Sequence, residues 1–303
     1  MTDHQTLFDL YVVVDWSANS TPKRGADSIW THVTERDAPV REPINHPTRA
    51  DAREYLVGLL TVHPHQRILL GFDMPYGYPS GFAEAAGLPG EPAWAAAWQH
   101  IVVNIDDRPD NANNRFAVAS ALNAAISDGP GPFWGTTSHQ HVTSSLSSKK
   151  APGFPHEGLA EHRHAEWALR DAGVRPASVW QLAGAGSVGS QTLMGVPVVH
   201  ALRHHPSLKS RSAIWPFETG LTPDPARGRR NMIIHAEIWP SSIGRPDPAL
   251  HPVKDAGQVT ALSEHLAALD DRGELGQLFA PALDDDVARA VVEEEGWIVG
   301  AVV

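Results

Sequence analysis

The segment Tyr11-Val12-Val13-Val14-Asp15-Trp16-Ser17 joins an unbroken apolar run, rich in β-branched residues, to a carboxylate. Such a run is typical of a strand that is buried on both faces of a sheet. Its terminal acid, Asp15, is therefore expected at the rim of the sheet, where clefts form. Because an aspartate also caps many turns that follow strands, Asp15 alone does not indicate chemistry.

Two further apolar runs end in the same way. Asp73 ends the run 67–73, and Glu237 ends the run 231–237. A fourth acid, Asp255, opens a segment whose apolar spacing predicts a helix, although a lone acid there would be read as a helix cap. Together the four acids offer the hard oxygen ligands that Mg²⁺ and Mn²⁺ prefer. The sequence predicts a carboxylate cluster if the three strands are neighbours.

Composition excludes several classes of protein. The 303 residues include no cysteine, which rules out disulfides, thiolate zinc sites and cysteine nucleophiles. The 42% of hydrophobic residues are ample for the core of one large domain or two. No apolar run reaches the roughly 18–20 residues of a membrane span, and residues 1–5 lack the features of a signal peptide. We therefore expect a cytoplasmic protein with no membrane partner.

Charge is distributed unevenly along the chain. The formal net charge of -11 argues against a general coating of nucleic acid, because such binding draws most of its affinity from basic residues. Acids crowd the last third, whereas basic residues gather between positions 203 and 230. A local basic lip beside an acidic site is therefore expected if the fold brings the two together.

The order of elements predicts an α/β fold. Strands are predicted over 11–15, 28–34, 67–73, 231–237 and 296–300, and helices over 47–60, 93–105, 115–126, 158–172, 190–194, 254–269 and 287–295. Residues 139–155 lack periodicity, which predicts a loop or a mobile lid. We therefore divide the chain into a core of residues 1–80 and 226–303 and a mainly helical insertion of residues 81–225, packed on the core as one structural unit.

Gly184, Gly186 and Gly189 match the glycine spacing of a dinucleotide-binding loop. No acid follows at the distance that ribose binding requires, so nicotinamide or flavin binding is disfavoured. Ser187 hints at a nucleophile elbow, but Ala185 replaces the first glycine of that motif. We favour a glycine-rich turn whose amides face a phosphate, or that simply packs closely, at the start of a helix.

Histidine is abundant, and four pairs lie close in sequence, at 63/65, 139/141, 162/164 and 204/205. Such pairs could bind zinc, but they lie in polar segments without the spacing of a zinc-protease helix, so we favour solvated histidines. His235 is different because strand alternation places it on the same side as Glu237. It is a candidate proton shuttle.

The acids lie in four short segments: Val14-Asp15-Trp16-Ser17, Gly71-Phe72-Asp73-Met74-Pro75-Tyr76-Gly77, Ala236-Glu237-Ile238-Trp239-Pro240-Ser241 and Lys254-Asp255-Ala256. In this order they resemble the segments of the DUF429-type predicted nucleases with a ribonuclease H-like fold. The segment 294–298 is similar to the end of the same kind of chain. The resemblance covers the two ends of the chain and little of the insertion.

The resemblance implies a ribonuclease H-like mixed sheet, with a central first strand, flanked by helices. It also implies that the catalytic residues and metal ligands are Asp15, Asp73, Glu237 and Asp255. Two Mg²⁺ or Mn²⁺ ions about 3.5–4 Å apart would activate water and stabilise the leaving oxygen of a phosphodiester. We therefore expect a metal-dependent, nuclease-like phosphodiester hydrolase with a nucleic acid or nucleotide substrate.

Two alternatives remain open. The first is a Mg²⁺-nucleotide-binding or phosphoryl-transfer protein of the actin-like or sugar-kinase type, with a phosphate-binding set of Ser17, Asn19, Gly184, Gly186, Ser187 and Gly189. The second is a non-catalytic scaffold. A nuclease predicts four converging carboxylates beside a basic groove. A kinase-like protein predicts an adenine pocket and places the glycine turn in the same cavity as Asp15, and a scaffold predicts a carboxylate paired with arginine or lysine.

Overall fold

The computed structural model describes residues 6–36, 38–150, 153–243 and 249–301. In this part of the chain one mixed sheet has six strands in the order β3-β2-β1-β4-β6-β5. The strands are β1 (Leu10–Asp15), β2 (Ile29–Glu35), β3 (Ile44–His46), β4 (Ile68–Asp73), β5 (Ser212–Ile214) and β6 (Ile233–Glu237). Strands β1, β4, β6 and β5 run parallel, whereas β2 and β3 pair antiparallel. The predicted α/β class is confirmed.

Helices cover the sheet. They are α1 (Arg49–Val62), α2 (Phe82–Ala85), α3 (Ala93–Asn104), α4 (Arg115–Ile126), α5 (His164–Asp171), α6 (Val188–Arg203), α7 (Lys254–Asp271), α8 (Leu275–Leu278) and α9 (Asp285–Ala290). Thr48 caps α1, because its side chain accepts a hydrogen bond from the Asp51 amide. None of the described helices is long and apolar enough to cross a bilayer.

The first strand is buried on both faces because its side chains alternate between two apolar clusters. Val12 and Val14 pack into one cluster, together with residues of α1, α3, α4 and α6. Tyr11 and Val13 pack into the other, together with residues of α5, α7 and α8. Strand β1 also lies between β2 and β4 in the sheet. The apolar run at residues 11–14 therefore belongs to a central strand.

Helix α7 packs on β1 and β2 and holds the start of the first strand. Its Asp270 carboxylate accepts hydrogen bonds from the backbone N–H groups of Leu7 and Phe8, each at 2.8 Å, and from the hydroxyl of Tyr11 at 2.5 Å. All three donors lie at or just before the beginning of β1. The last turn of α7 is thereby fixed against the entry to the sheet, and its first turn carries Asp255.

The predicted insertion does more than pack on the core, because it also contributes a strand to the sheet. Strand β5 lies within residues 81–225, pairs with β6 and forms one edge of the sheet. Strand β3 forms the opposite edge and was also not predicted. Both strands have three residues, which is too short for alternation to be recognised.

The predicted C-terminal strand over 296–300 is wrong. A π-helical turn, Val291–Glu295, precedes Gly296, whose φ of 72° interrupts an extended path. In the described part of this segment, pairing with the sheet is limited to an isolated bridge between Ile298 and Glu237. The apolar residues here are buried as a loop beside the end of β6 rather than as a strand.

Helix α6 is longer than the predicted 190–194, because it continues through Pro197. Proline removes one backbone hydrogen bond from a helix interior and usually ends the helix. Here Leu193, Val196 and Val199 are fully buried in the core, so packing offsets that loss. Conversely, α5 is shorter than predicted and begins only where the Glu166 carboxylate accepts a hydrogen bond from the Arg163 amide.

The segment 139–155 is irregular, as predicted, apart from a short 3₁₀ turn at His139–His141. Residues 151 and 152 lie outside the described residues. Leu146 is fully buried in the core beside α4, so the middle of the segment is anchored to the protein. A role as a lid stays a prediction.

Candidate functional site

Two of the predicted acids lie side by side at the carboxyl ends of adjacent strands. Strands β1 and β4 are parallel, and their register pairs Asp15 with Asp73. Paired residues on neighbouring parallel strands point to the same face, and their strands lie about 4.8 Å apart. Both side chains line one cleft. This pair lies at the sheet rim, where the sequence predicted it.

The third acid, Asp255, reaches the same cleft from the first turn of α7. Its Oδ2 atom accepts a hydrogen bond of 2.7 Å from the backbone amide of Asp27, in the connection between β1 and β2. Asp27 has a φ of 53° and also lines the cleft. Asp27 was not predicted as a site residue, because it lies in a long polar connection that is rich in turn-forming residues.

The cleft has a volume of about 900 Å³ and lies between the carboxyl edge of the sheet and the start of α6. We call it the acid cleft, after Asp15, Asp73 and Asp255. Its other polar lining residues include Ser17, Asn19, Ser20, Asp27, Arg115, Thr137, Ser187, Ser190, Gln191, Lys254 and Gln258. The lining therefore combines carboxylates with hydroxyls, amides and two basic side chains.

The acid cleft carries an excess of negative charge. Burial, followed by the charges of Glu237 and Asp255, raises the pKa of Asp73 to about 7, and the charge of Lys254 lowers it in part. Burial and the charges of Asp73 and Asp255 raise the pKa of Asp15 well above its ordinary value. Lys254 offsets only part of the charge at Asp15 and Asp73, so this part of the cleft favours a bound proton or cation.

Glu237 lies next to the acid cleft but does not line it. It is paired in the sheet with Phe72, one residue before Asp73, so its side chain leaves the opposite face. Its carboxylate is 2% exposed and accepts two hydrogen bonds from Arg163, of 2.6 and 2.8 Å, and one of 2.9 Å from the Tyr76 amide. Three of the four predicted acids therefore share the acid cleft, whereas Glu237 lies outside it.

Arg163 is the centre of a buried ionic group that the sequence did not reveal. Its guanidinium is fully buried and pairs with Glu166 as well as Glu237. It also donates a 2.8 Å hydrogen bond to the backbone carbonyl of Glu295. We call Arg163, Glu166 and Glu237 the Arg163 cluster. An arginine in a polar part of the insertion carried no signal that it would reach a strand of the core.

The glycine turn, residues 184–187, lines the acid cleft. Gly184 and Gly186 have φ values of 90° and 78°, which glycine adopts without strain. Within the described part of the chain, the four backbone amides of this turn donate to no protein acceptor. The structure thus places Gly184, Gly186 and Ser187 where their amides are available to a ligand.

Gly189 has a different role from the one predicted. Its amide donates a 3.0 Å hydrogen bond to the carbonyl of Gln181, so it is not available to a phosphate. A β-carbon at this position would collide with the backbone oxygens of Val179 and Gln181. The glycine is required for close packing behind the turn, and its assignment to phosphate binding is corrected.

Ser17 and Asn19 both line the acid cleft but are bonded mainly to each other. The Asn19 amide donates to Ser17 Oγ at 2.7 Å and to the carbonyl of Asp27 at 2.6 Å. These bonds brace the connection between β1 and β2. A phosphate would have to share or replace them, so these residues are less available than the glycine turn.

The prediction of His235 as a proton shuttle is wrong. Its ring is fully buried, Nε2 lies 3.1 Å from the hydroxyl of Ser212, and the residue does not line the acid cleft. Burial, assisted by the charge of Arg203, lowers the pKa of His235 to about 3. The imidazole therefore stays neutral and belongs to the core.

The basic residues between 203 and 230 do not form a lip on the acid cleft. None of them belongs to its described lining. Arg203 instead forms a bidentate pair with Glu218, with distances of 2.7 and 2.8 Å. The basic side chains of the cleft are Lys254, next to Asp255, and Arg115 from the start of α4.

The donor set fits a cation that is completed by its substrate. In the described residues, no three histidine or acidic side chains are gathered closely enough to enclose a metal ion. Mg²⁺, however, is usually bound by one or two carboxylates, with waters and substrate phosphates as its other ligands. The in-register pair Asp15 and Asp73, with Asp255 facing the same space, provides such a partial set.

Neither protein-family models, nor curated proteins, nor solved structures include a match to this chain.

Proposed function

We propose that this protein is a Mg²⁺- or Mn²⁺-dependent phosphodiester hydrolase with a ribonuclease H-like sheet. The observation that carries the proposal is the in-register pair Asp15 and Asp73 beside Asp255 in one cleft. The resemblance to DUF429-type predicted nucleases is supported by a central β1 with an antiparallel β2 on one side and the parallel β4 on the other. Asp15, Asp73 and Asp255, three of the four acids of the resemblance, line this cleft, which supports the proposal.

The chain's own residues divide the work in this proposal. Asp15 and Asp73 would hold the cation, and Asp255, oriented by the Asp27 amide, would complete the oxygen set. When bound, the cation supplies a Lewis acid that activates water and offsets charge on the phosphodiester. Lys254 would orient a non-bridging oxygen of the ester through its N–H groups.

Protonation of Asp73 is coupled to this binding. With a pKa of about 7, its carboxylate holds a proton in a large part of the molecules at neutral pH when no cation is bound. A cation must displace that proton, so affinity is expected to increase as the pH rises through neutrality. Glu237 contributes to this behaviour through its charge while its own oxygens stay on Arg163.

The acid cleft favours a small or terminal substrate over a duplex. Binding along a duplex depends on many basic contacts to phosphates, and the described cleft lining has Lys254 and Arg115 as its basic side chains. A volume of about 900 Å³ is within the range of small-ligand sites. We therefore narrow the substrate to a nucleotide, a dinucleotide or the end of a single strand.

The test measures hydrolysis of bis(p-nitrophenyl) phosphate and of short single strands with Mn²⁺, with Mg²⁺ and with EDTA. Asp15→Asn and Asp73→Asn are expected to lower kcat/KM at least about 100-fold. Removing a residue that only hydrogen-bonds to a metal ligand usually costs less. Asp171→Asn is the control, because Asp171 is exposed on α5. Metal-dependent turnover that survives both substitutions would contradict the proposal.

A second candidate function is Mg²⁺-nucleotide binding or phosphoryl transfer. The observation that favours it is the position of the glycine turn in the same cleft as Asp15. Calorimetry separates the two functions. A hydrolase is expected to bind Mn²⁺ without ATP, whereas a nucleotide-binding protein is expected to bind the cation only together with ATP. A scaffold would bind neither, and the pairing of Glu237 with Arg163 fits that alternative for one acid of the four.

A further inference from the structure

One buried cation of the acid cleft is paired with neutral oxygens rather than with an acid. Arg115, the first residue of α4, is 5% exposed and lines the cleft. Its Nε atom donates to Ser190 Oγ at 2.9 Å, and its Nη1 atom donates to Ser20 Oγ at 2.9 Å and to Asn113 Oδ1 at 2.8 Å. None of the ion pairs in the described residues includes Arg115.

The other buried arginines of the described chain are compensated in different ways. Arg49 forms an ion pair of 2.6 Å with Asp107, and Arg163 pairs with two glutamates. Arg211 donates to two backbone carbonyl oxygens and does not line the cleft. Arg115 therefore combines burial, no acidic partner and a position on the cleft wall. Burying an unpaired charge is costly, which indicates a ligand that supplies the opposite charge.

The guanidinium of Arg115 is held in one orientation before any ligand binds. Ser190, which accepts from Nε, donates in turn to the carbonyl of Leu182 at 2.6 Å. The ring of Phe116 lies 4.4 Å from the guanidinium carbon. These contacts fix Nε and Nη1, and Nη2 has no acceptor in the described residues. Two N–H donors are thus left for a ligand at little cost in side-chain entropy.

We propose that Arg115 and the open amides of the glycine turn form a phosphate subsite, so that the substrate carries a second phosphate besides the ester that is cleaved. The substrate class is a dinucleotide or short single strand with a terminal phosphomonoester. The identity of the cleaved bond rests on the function proposed above, whereas the subsite rests on Arg115 itself. A planar guanidinium fork and several amide donors suit the tetrahedral oxygens of phosphate.

The charge of Arg115 is retained at neutral pH. Burial, together with the nearby charge of Arg49, lowers the pKa of Arg115 to about 10. The side chain is therefore still protonated under ordinary conditions and attracts an anion without a change of protonation. The acids of the same cleft repel an anion, so phosphate is expected to bind more tightly when a divalent cation offsets them.

The first test measures binding of inorganic phosphate in EDTA by calorimetry at constant ionic strength. Wild type is expected to bind phosphate, and Arg115→Gln is expected to raise the Kd about tenfold or more, because a charge-assisted hydrogen bond is lost. Arg211→Gln is the matched control, since Arg211 is buried, lacks an acidic partner and lies away from the cleft. It is expected to keep the wild-type Kd.

A second variant keeps the test decisive if Arg115→Gln does not fold. Arg115→Lys retains the charge without the fork and is expected to bind phosphate more weakly than wild type and more tightly than Arg115→Gln. Circular dichroism checks the fold of each variant. The subsite is overturned if wild type fails to bind phosphate, or if folded Arg115→Gln or Arg115→Lys binds it as tightly as wild type.

The second test compares hydrolysis of a dinucleotide with and without a 5′-phosphate in Mn²⁺. Wild type is expected to prefer the phosphorylated form about tenfold or more in kcat/KM, and Arg115→Gln is expected to bring that ratio close to one. Phosphate binding that depends on Arg115 supports the subsite even if no ester is hydrolysed. Hydrolysis without any such preference overturns the subsite and leaves the hydrolase proposal standing.

Discussion

Two groups of acids lie at the carboxyl edge of one sheet, and they are compensated in opposite ways. In the Arg163 cluster, Glu237 has its oxygens on a buried guanidinium and a backbone amide. In the acid cleft, burial and the charges of neighbouring acids raise the pKa of both Asp15 and Asp73, and the charge of Lys254 lowers them in part. The first group is complete as the chain folds, and the second is completed only by a proton or a ligand.

The difference teaches how to distinguish a structural acid from a functional one when both end a strand. A structural acid has its partner within the chain, and removing that partner destabilises the fold. A functional acid has no such partner, and removing its charge stabilises the ligand-free protein while activity is lost. Four substitutions in the two groups of acids and beside them sharpen the comparison, beginning with the one of largest expected effect.

Replacing Arg163 with methionine is expected to destabilise the protein by about 3–5 kcal/mol, because Glu166 and Glu237 would be left buried and unpaired. Urea unfolding at neutral pH measures the loss. Arg272→Gln breaks the exposed pair with Glu274 and is the control, with an expected loss below about 1 kcal/mol. Equal losses for the two variants would show that Arg163 does not compensate the buried acids.

Replacing Gly77 with alanine is expected to cost about 2–3 kcal/mol, because the new β-carbon would collide with the backbone carbonyls of Glu294 and Glu295. Glycine at this position allows the chain after β4 to lie close to the π-helical turn, whose Glu295 carbonyl accepts a hydrogen bond from Arg163. Gly58→Ala is the control. Gly58 is an exposed helical position with open space around it, so its substitution is expected to stabilise by up to about 1 kcal/mol. Thermal unfolding should give a lower Tm than wild type for Gly77→Ala, and a Tm that is equal or higher for Gly58→Ala.

Asp73→Asn is expected to stabilise the cation-free protein at pH 8 by about 1–3 kcal/mol, because the variant has no charged carboxylate to bury. The pKa of Asp73 is raised in the folded state, so its contribution is fully present below the unfolded value near 4 and is lost as the pH rises through about 7. The variant has no carboxyl group at this position, so its stability does not fall in this way. Urea unfolding in EDTA should therefore give a difference at pH 8 that disappears near pH 4, and a pH-independent difference would contradict the assignment.

His164→Gln is expected to have the smallest effect, below about 1 kcal/mol, because solvent screens this half-exposed side chain. A hydrogen bond to Glu295 raises the pKa of His164 above its ordinary 6.5. The stability from this pair is therefore present below pH 6.5 and is lost as the pH rises through the higher folded value. The free energy of unfolding should be higher for wild type than for the variant at pH 5.5, and the two should be equal at pH 9.

The sequence predicted the regular elements where periodicity extends over enough residues. The predicted helix over 115–126 coincides with α4, and the apolar runs became β1, β4 and β6. The sequence did not predict the three-residue edge strands or the continuation of α6 through proline. Both depend on tertiary packing, which a local sequence pattern does not show. The segment 296–300 has strand-like composition, but its position after a π-helical turn makes it a loop.

The sequence predicted part of the site. It did not predict the direction of the Glu237 side chain, which depends on strand register. Asp15 and Asp73 were expected at strand ends and are in register, so they share a face. Glu237 also ends a strand, but β6 is offset by one residue relative to Asp73, and a one-residue offset reverses the direction of a side chain. The partners Arg163 and Arg115 come from the insertion, and sequence distance gave no information about them.

The position of Asp255 in the acid cleft depends on the length of helix α7 and on the anchor at the other end of that helix. The path from Asp255 to Asp270 measures about 22 Å at 1.5 Å per helical residue. The extended path from Phe8 to Asp15 measures about 23 Å at 3.3 Å per residue. Because Asp270 is fixed to the Phe8 amide, the equal lengths bring Asp255 level with Asp15. Adding or deleting one residue in either element would shift the two cleft acids past each other, whereas a loop could absorb the same change.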